Sequence, residues 1–171
     1  DQLPAETVPP PDTTTVATWS QVANLGANPG NLDMFLYTPA GLPQKAPLIV
    51  VLHPCQITAK SFATNAGWNR LADLRKAVMV YPEQSYANNL TICFNWFDDD
   101  DTDRGSGEAA SIVAMVNKAM TLHSVDPKRV FVAGLSAGGA MSAALLASYP
   151  DVFAGGAVFA GVPAGCATSV F

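Results

Sequence analysis

Residues 130–149 read Val-Phe-Val-Ala-Gly-Leu-Ser-Ala-Gly-Gly-Ala-Met-Ser-Ala-Ala-Leu-Leu-Ala-Ser-Tyr. An apolar run, Val130–Ala133, passes through a glycine-flanked serine into a small-residue helix, Gly138–Tyr149, which Pro150 stops. The junction leaves no length for a relaxed loop, so the chain must reverse sharply at Ser136. A residue in such a turn takes a strained backbone conformation, and nearby glycines leave room for it. The Ser136 hydroxyl is expected to project above the C-terminal edge of a sheet, beside a helix N-terminus. The competing reading is an ordinary glycine-rich turn with a capping serine.

Strand and helix patterns alternate along the rest of the chain. Leu32–Tyr37 is a first strand candidate. Leu48–Leu52, five consecutive apolar residues after Pro47, fits a strand buried on both faces of a parallel sheet. Residues 61–75 read as one helix, with Phe62, Trp68, Leu71 and Leu74 on its apolar side. Ala77–Tyr81 is the next buried strand, ended by Pro82, and Gly107–Leu122 is a longer helix with Glu108 near its N-terminus. Val125-Asp126-Pro127 stops that helix, and Ala157–Ala160 is a last strand. The alternation predicts an α/β class with right-handed crossovers, a mainly parallel sheet and helices on both faces. Residues 1–18, rich in Pro and Thr, are expected to be an extended segment before a single catalytic domain portion over 19–171. The Thr13–Thr15 run admits O-glycans or a plain linker.

Composition narrows the functions. A net charge of −5 argues against a nucleic-acid partner and against docking on an anionic membrane. No apolar stretch is long enough to span a bilayer. The three cysteines, Cys55, Cys93 and Cys166, and the two histidines, His53 and His123, fit no zinc spacing, so neither metal nor cofactor is expected. Asp98–Asp101 with Asp103 lacks the glycine and terminal glutamate of a calcium loop and reads as a solvated acidic loop.

Placed between a buried strand and a helix, Gly134-Leu-Ser-Ala-Gly138 has the context of the nucleophile elbow of α/β hydrolases. In that plan the loop after the first buried strand supplies one backbone N–H to an oxyanion hole, and the residue after the serine supplies the other. Here the loop is His53-Pro54-Cys55-Gln56. Pro54 has no N–H, so Cys55 is the donor expected by position, with Gln56 behind it, and Ala137 is the second. His53 is expected to brace the loop rather than act as a base.

The ordered set His53-Pro-Cys-Gln56, Gly67-Trp68-Asn69, Tyr81-Pro-Glu83, Cys93-Phe-Asn-Trp-Phe97, Arg104-Gly-Ser-Gly-Glu108, Val125-Asp-Pro127, Gly134-Leu-Ser-Ala-Gly-Gly-Ala-Met141 and Gly161-Val-Pro-Ala-Gly-Cys166 resembles the polyhydroxybutyrate depolymerase family of esterases. That family is related to the acetylxylan and feruloyl esterases of carbohydrate esterase family one. The likeness runs over roughly residues 24–166 and departs at Pro54, where family members commonly have glycine. It implies an α/β-hydrolase fold and a Ser-Asp-His triad in that order, with Ser136 as nucleophile. Between Ser136 and Phe171 the only acidic residue is Asp151, and there is no histidine. Asp151 and His123 are both expected at the far edge of the sheet. The C-terminal part of the fold is therefore expected to be absent from this chain, and that missing part of the same enzyme is expected to supply Asp and His.

The resemblance also implies a secreted, extracellular protein acting on an ester substrate, polymeric or polysaccharide-linked: polyhydroxyalkanoate, acetylxylan or a feruloyl ester. In that oxidising setting Cys55 is expected to pair with Cys93, leaving Cys166 over. Trp96 is expected either to line the substrate cleft or to pack in the core. Asn89-Leu90-Thr91 is a glycosylation sequon, relevant if a eukaryote secretes the protein. The alternative function is a non-catalytic fragment or binding module that keeps the hydrolase surface.

Overall fold

The computed structural model describes residues 14–167 and 169. Its sheet has six strands: β1 (Thr18–Gln21), β2 (Asp33–Thr38), β3 (Ala46–Leu52), β4 (Val78–Glu83), β5 (Val125–Leu135) and β6 (Gly155–Phe159), in the spatial order β1-β2-β4-β3-β5-β6. β4, β3, β5 and β6 run parallel, while β2 lies antiparallel against β4 and β1 against β2. The helices are α1 (Ala59–Asn65), α2 (Trp68–Arg75), α3 (Asp99–Thr102), α4 (Gly107–Leu122) and α5 (Ala137–Ser148).

Alternation along the buried strands sorts the helices onto two faces. Leu48, Val50 and Leu52 of β3, with Val130 and Val132 of β5, meet Ile112, Met115 and Val116 of α4 and Met141 and Leu145 of α5. The opposite side of the same strands, Ile49, Val51 and Leu135, meets Phe62, Ala63 and Ala72 of α1 and α2. Both faces are apolar, which explains why β3 and β5 read as unbroken hydrophobic runs.

Several boundaries differ from expectation. β1 is an added strand before Leu32, starting at Thr18, the last residue of the segment expected to be extended. Residues 1–13, including Thr13 of the threonine run, lie outside the described residues. Residues 61–75 do not form one helix: the chain breaks at Gly67, whose φ of 76° is left-handed, and restarts as α2. β4 continues through Pro82, because its pairing with β3 ends at Val80 and no N–H is required on that side. β5 begins at Val125 rather than Val130; its register with β3 shifts between Ala46 and Leu48, and residues 126–129 are the excess length. β6 ends at Phe159, one residue early.

The break at Gly67 gives a clean test. A Cβ there meets no atom within 4 Å, so substitution acts through φ alone. Gly67→Ala is expected to lower the stability by about 1–2 kcal/mol, read from the urea midpoint. An unchanged midpoint contradicts the left-handed junction.

Candidate active site

The parallel strands β3, β4 and β5 deliver His53, Gln84 and Ser136 to one edge of the sheet, the C-terminal edge where open α/β sheets bind ligands. Ser136 has φ 56° and ψ −119°, a strained conformation for a residue with a side chain. Its backbone is held on both sides: its N–H donates to the Phe159 carbonyl at 2.9 Å, and its carbonyl accepts from the Ala140 N–H at 2.9 Å. The hydroxyl makes no capping bond to α5, and Ser136 is exposed. A capping serine is therefore not what the structure contains.

The glycines around Ser136 are there for close approach. A Cβ on Gly134 would lie 2.2 Å from the Gly138 carbonyl oxygen, and one on Gly138 would lie 2.2 Å from the Leu52 oxygen and 2.7 Å from the His53 oxygen. Gly139 approaches the Phe159 oxygen in the same way. The N-terminus of α5 thus rests directly on the backbone where β3 ends. This contact sets His53, the first residue of the 53–56 loop, against Gly138, the neighbour of Ala137.

That loop is tied down at each residue. Cys55 is disulfide-bonded to Cys93, with Cα atoms 4.3 Å apart. The Gln56 N–H donates to the Thr91 carbonyl at 3.0 Å, which removes Gln56 as a free donor. His53 is fully buried, and its ring packs 4.7 Å from that of Phe94. The Gln84 N–H donates to His53 Nε2 at 3.1 Å, so Nδ1 carries the proton and donates to the Pro54 carbonyl at 2.9 Å. Burial holds the His53 pKa below its usual value, and the Pro54 bond opposes this only in part. A neutral ring with both nitrogens engaged is a brace, not a base.

Sequence reasoning missed the group behind His53. Glu108, at the start of α4, is 1% exposed. It accepts from Gln84 Nε2 and, at 2.9 Å, from the Asn95 N–H. Gln84 Nε2 also donates to the Cys93 carbonyl, and Gln84 Oε1 accepts from Asn88 Nδ2 and the Ser85 N–H. Burial, and then the charge of Asp101, push the Glu108 pKa from an ordinary 4.5 up to about 8, against the lowering effect of the Asn95 and Gln84 bonds. Its position near a helix N-terminus was legible; its burial and its bond to Gln84 were not.

The remaining candidates fall elsewhere. Asp151 pairs with Arg104 through two bonds of 2.6 and 2.8 Å, and the Arg104 guanidinium lies over the Tyr149 ring. That partner lowers the Asp151 pKa to about 2. His123 follows α4, and its Nε2 lies 3.2 Å from Thr38 Oγ1 at the opposite edge of the sheet. The acidic run is not a plain solvated loop. Asp98 caps the short helix α3, and Asp101 accepts from Asn95 Nδ2 and from the Glu108 N–H, each at 3.0 Å. Among the described residues no cluster has the makings of a metal site. Trp96 is half-buried, packed against the core and edge-on to Phe97. The Asn89 amide is engaged in the turn, donating to Asn95 Oδ1 and accepting from Thr91, so a glycan there would have to displace these bonds. Cys166 is a free, exposed thiol.

A mainly parallel sheet flanked on both faces, with a strained serine between a strand end and a helix, defines an α/β-hydrolase fold. Acetyl xylan esterase from Aspergillus awamori superposes with a TM-score of 0.83 at 29% identity, over 90% of this chain and 55% of that one. S-formylglutathione hydrolase from Staphylococcus aureus shares the fold at 12% identity and a TM-score of 0.66, over 86% of this chain and 57% of that one. Residues 32–171 match the family described as esterase PHB depolymerase, and the chain belongs to that family. It is 51% identical over 151 residues to poly(3-hydroxyalkanoate) depolymerase C of Paucimonas lemoignei, covering 88% of this chain and 36% of that protein. It is 38% identical over 152 residues to feruloyl esterase B of Thermothelomyces thermophilus, covering 88% and 51%. It is also 35% identical over 153 residues to acetylxylan esterase A of Aspergillus oryzae, covering 85% and 47%. The chain thus spans about a third to a half of the length of these curated relatives.

Two outcomes follow from the geometry. Gly138→Ala is expected to cost at least about 2–3 kcal/mol in urea unfolding, because the new methyl meets backbone that cannot rotate away. Wild-type stability in that variant would mean that α5 can stand off from β3. The second concerns Glu108. Its raised pKa means the folded state keeps a proton that the unfolded chain has lost. The stabilisation this confers is complete below the ordinary value of 4.5 and disappears as pH rises through about 8. The stability of the wild type relative to Glu108→Gln is therefore expected to fall between about pH 5 and pH 8. A flat or rising difference contradicts a buried, proton-holding Glu108.

Proposed function

We propose that this chain carries the nucleophile and the oxyanion donors of a serine carboxylic-ester hydrolase. The observation that carries this reading is Ser136: a strained elbow residue, exposed, with its hydroxyl left uncapped beside the N-terminus of α5. Ser136 Oγ attacks the ester carbonyl, the oxyanion is received by the N–H groups of Cys55 and Ala137, and water later releases the acyl group. Each donor contributes roughly 3–4 kcal/mol to transition-state stabilisation in comparable enzymes. Ala137 opens α5, so its N–H has no carbonyl partner within the helix. Cys55 is held by its disulfide, and its neighbour Gln56 is already bonded.

Neither histidine of the chain is placed to serve Ser136 as general base. His53 has both ring nitrogens engaged, and His123 sits at the other edge of the sheet. The names of the relatives support a polymeric or polysaccharide-linked substrate: a polyhydroxyalkanoate, an acetylated xylan or a feruloyl ester. The disulfide supports a secreted, extracellular protein. Among the described residues no helix is long and apolar enough to cross a membrane.

Incubation with p-nitrophenyl acetate followed by peptide mapping tests the reading. Ser136 is expected to acquire the acetyl group, and Ser136→Ala to acquire none. Turnover by this chain is expected to lie several orders of magnitude below that of a complete triad. Acetylation elsewhere, or none, favours the non-catalytic binding module. Robust turnover that vanishes in Ser136→Ala would mean that a base lies within these residues.

A further inference from the structure

The carbonyl of Pro54 and the N–H of Cys55 belong to one peptide group. That group is planar and trans, so its C=O and N–H point in opposite directions. Whatever fixes the Pro54 oxygen also aims the Cys55 N–H. The Pro54 oxygen is fixed by His53 Nδ1–H at 2.9 Å. His53 can donate from Nδ1 only while Nε2 is an acceptor, and Nε2 is kept an acceptor by the Gln84 N–H.

Gln84 lies just beyond the end of β4, past the pairing with β3, and its place is set by its side chain. That amide is almost wholly buried and engaged on every side: by Glu108, the Cys93 carbonyl, Asn88 and the Ser85 N–H. Its orientation is unambiguous, because the Ser85 N–H must meet the amide oxygen and the Cys93 carbonyl must meet the amide nitrogen. The Glu108 carboxylate then closes the group, joining Gln84 to the Asn95 N–H. A buried amide or carboxylate left unpartnered is costly, so the set holds together as a unit.

We propose that Glu108 and Gln84 are positioning residues for the oxyanion peptide: the Glu108 carboxylate holds Gln84, Gln84 sets the His53 ring, and the ring aims the Cys55 N–H. The chain of contacts reaches from the start of α4 to the 53–56 loop without touching Ser136 or a substrate. It rests on the reading of Cys55 as an oxyanion donor. It also explains why an acidic residue is buried where an apolar one would pack more cheaply. A leucine at position 108 would leave Gln84 Nε2 short of an acceptor and the Asn95 N–H without one.

The test separates this coupling from the esterase reading. In nitrogen-15 spectra of the 171-residue protein, His53 is expected to be the neutral Nδ1–H tautomer, with Nε2 accepting. Finding the proton on Nε2 overturns the proposal with no variant needed. Gln84→Met and Glu108→Gln are then compared with the wild type. Both are expected to shift the Cys55 amide and His53 ring resonances and to speed exchange of the Cys55 amide. In the acetylation assay the maximal rate at Ser136 is expected to fall about ten- to a hundredfold, less than the loss of a whole donor, at an unchanged half-saturating concentration. Folded variants whose Cys55 and His53 resonances stay in place overturn the coupling. If acetylation fails at Ser136 while the resonances move, the coupling stands and the esterase reading falls.

Discussion

The close backbone approach of Gly138 to Leu52 and His53 is the contact on which the rest of the site depends. It lets α5 start directly over the end of β3, so that the helix next to the elbow lies against Leu52 and His53, where the 53–56 loop begins. Any side chain at position 138 would part them. The same approach explains the run of small residues at the start of α5, since Gly139 also lies against backbone, that of Phe159 and Gly161. The strain at Ser136 persists because strand pairing on one side and the helix on the other leave it no alternative.

Around that contact the structure combines two kinds of fixing. Apolar packing on both faces sets the strands, and through them the level at which each strand end stops. A buried polar set fixes the loop above. The disulfide ties Cys55 to Cys93, and Gln84 bonds the carbonyl of that same Cys93 while its own N–H meets His53. Covalent and hydrogen-bonded restraints thus converge on the peptide between Pro54 and Cys55. Preorganised donors of this kind stabilise a developing oxyanion because they need not reorient when charge appears.

Much of this was legible in the sequence, for reasons that differ by element. The elbow was readable because the requirement is local: a buried run, a serine, glycines and a small-residue helix within twenty positions. β3 was readable as an unbroken apolar run, and α4 from its helical period and its stop; both match the structure closely. β1 was not, since it has four largely exposed residues and owes its existence to pairing with β2. The break at Gly67 was hidden because the apolar positions on either side of it fit one helical pattern. The Glu108–Gln84–His53 set was invisible because its members are 24 and 31 residues apart and meet only through the fold. A glutamate near a helix N-terminus has a sufficient local explanation in the helix dipole, and nothing in the sequence marks it as buried.

The central claim is that Ser136, Cys55 N–H and Ala137 N–H surround one reacting carbon. The most direct measurement is a crystal structure of the protein after reaction with a fluorophosphonate, whose phosphoryl group mimics the tetrahedral intermediate. Phosphorus is expected bonded to Ser136 Oγ, with the phosphoryl oxygen about 3 Å from both nitrogens. A phosphoryl oxygen turned to solvent, or an adduct on another residue, contradicts the claim.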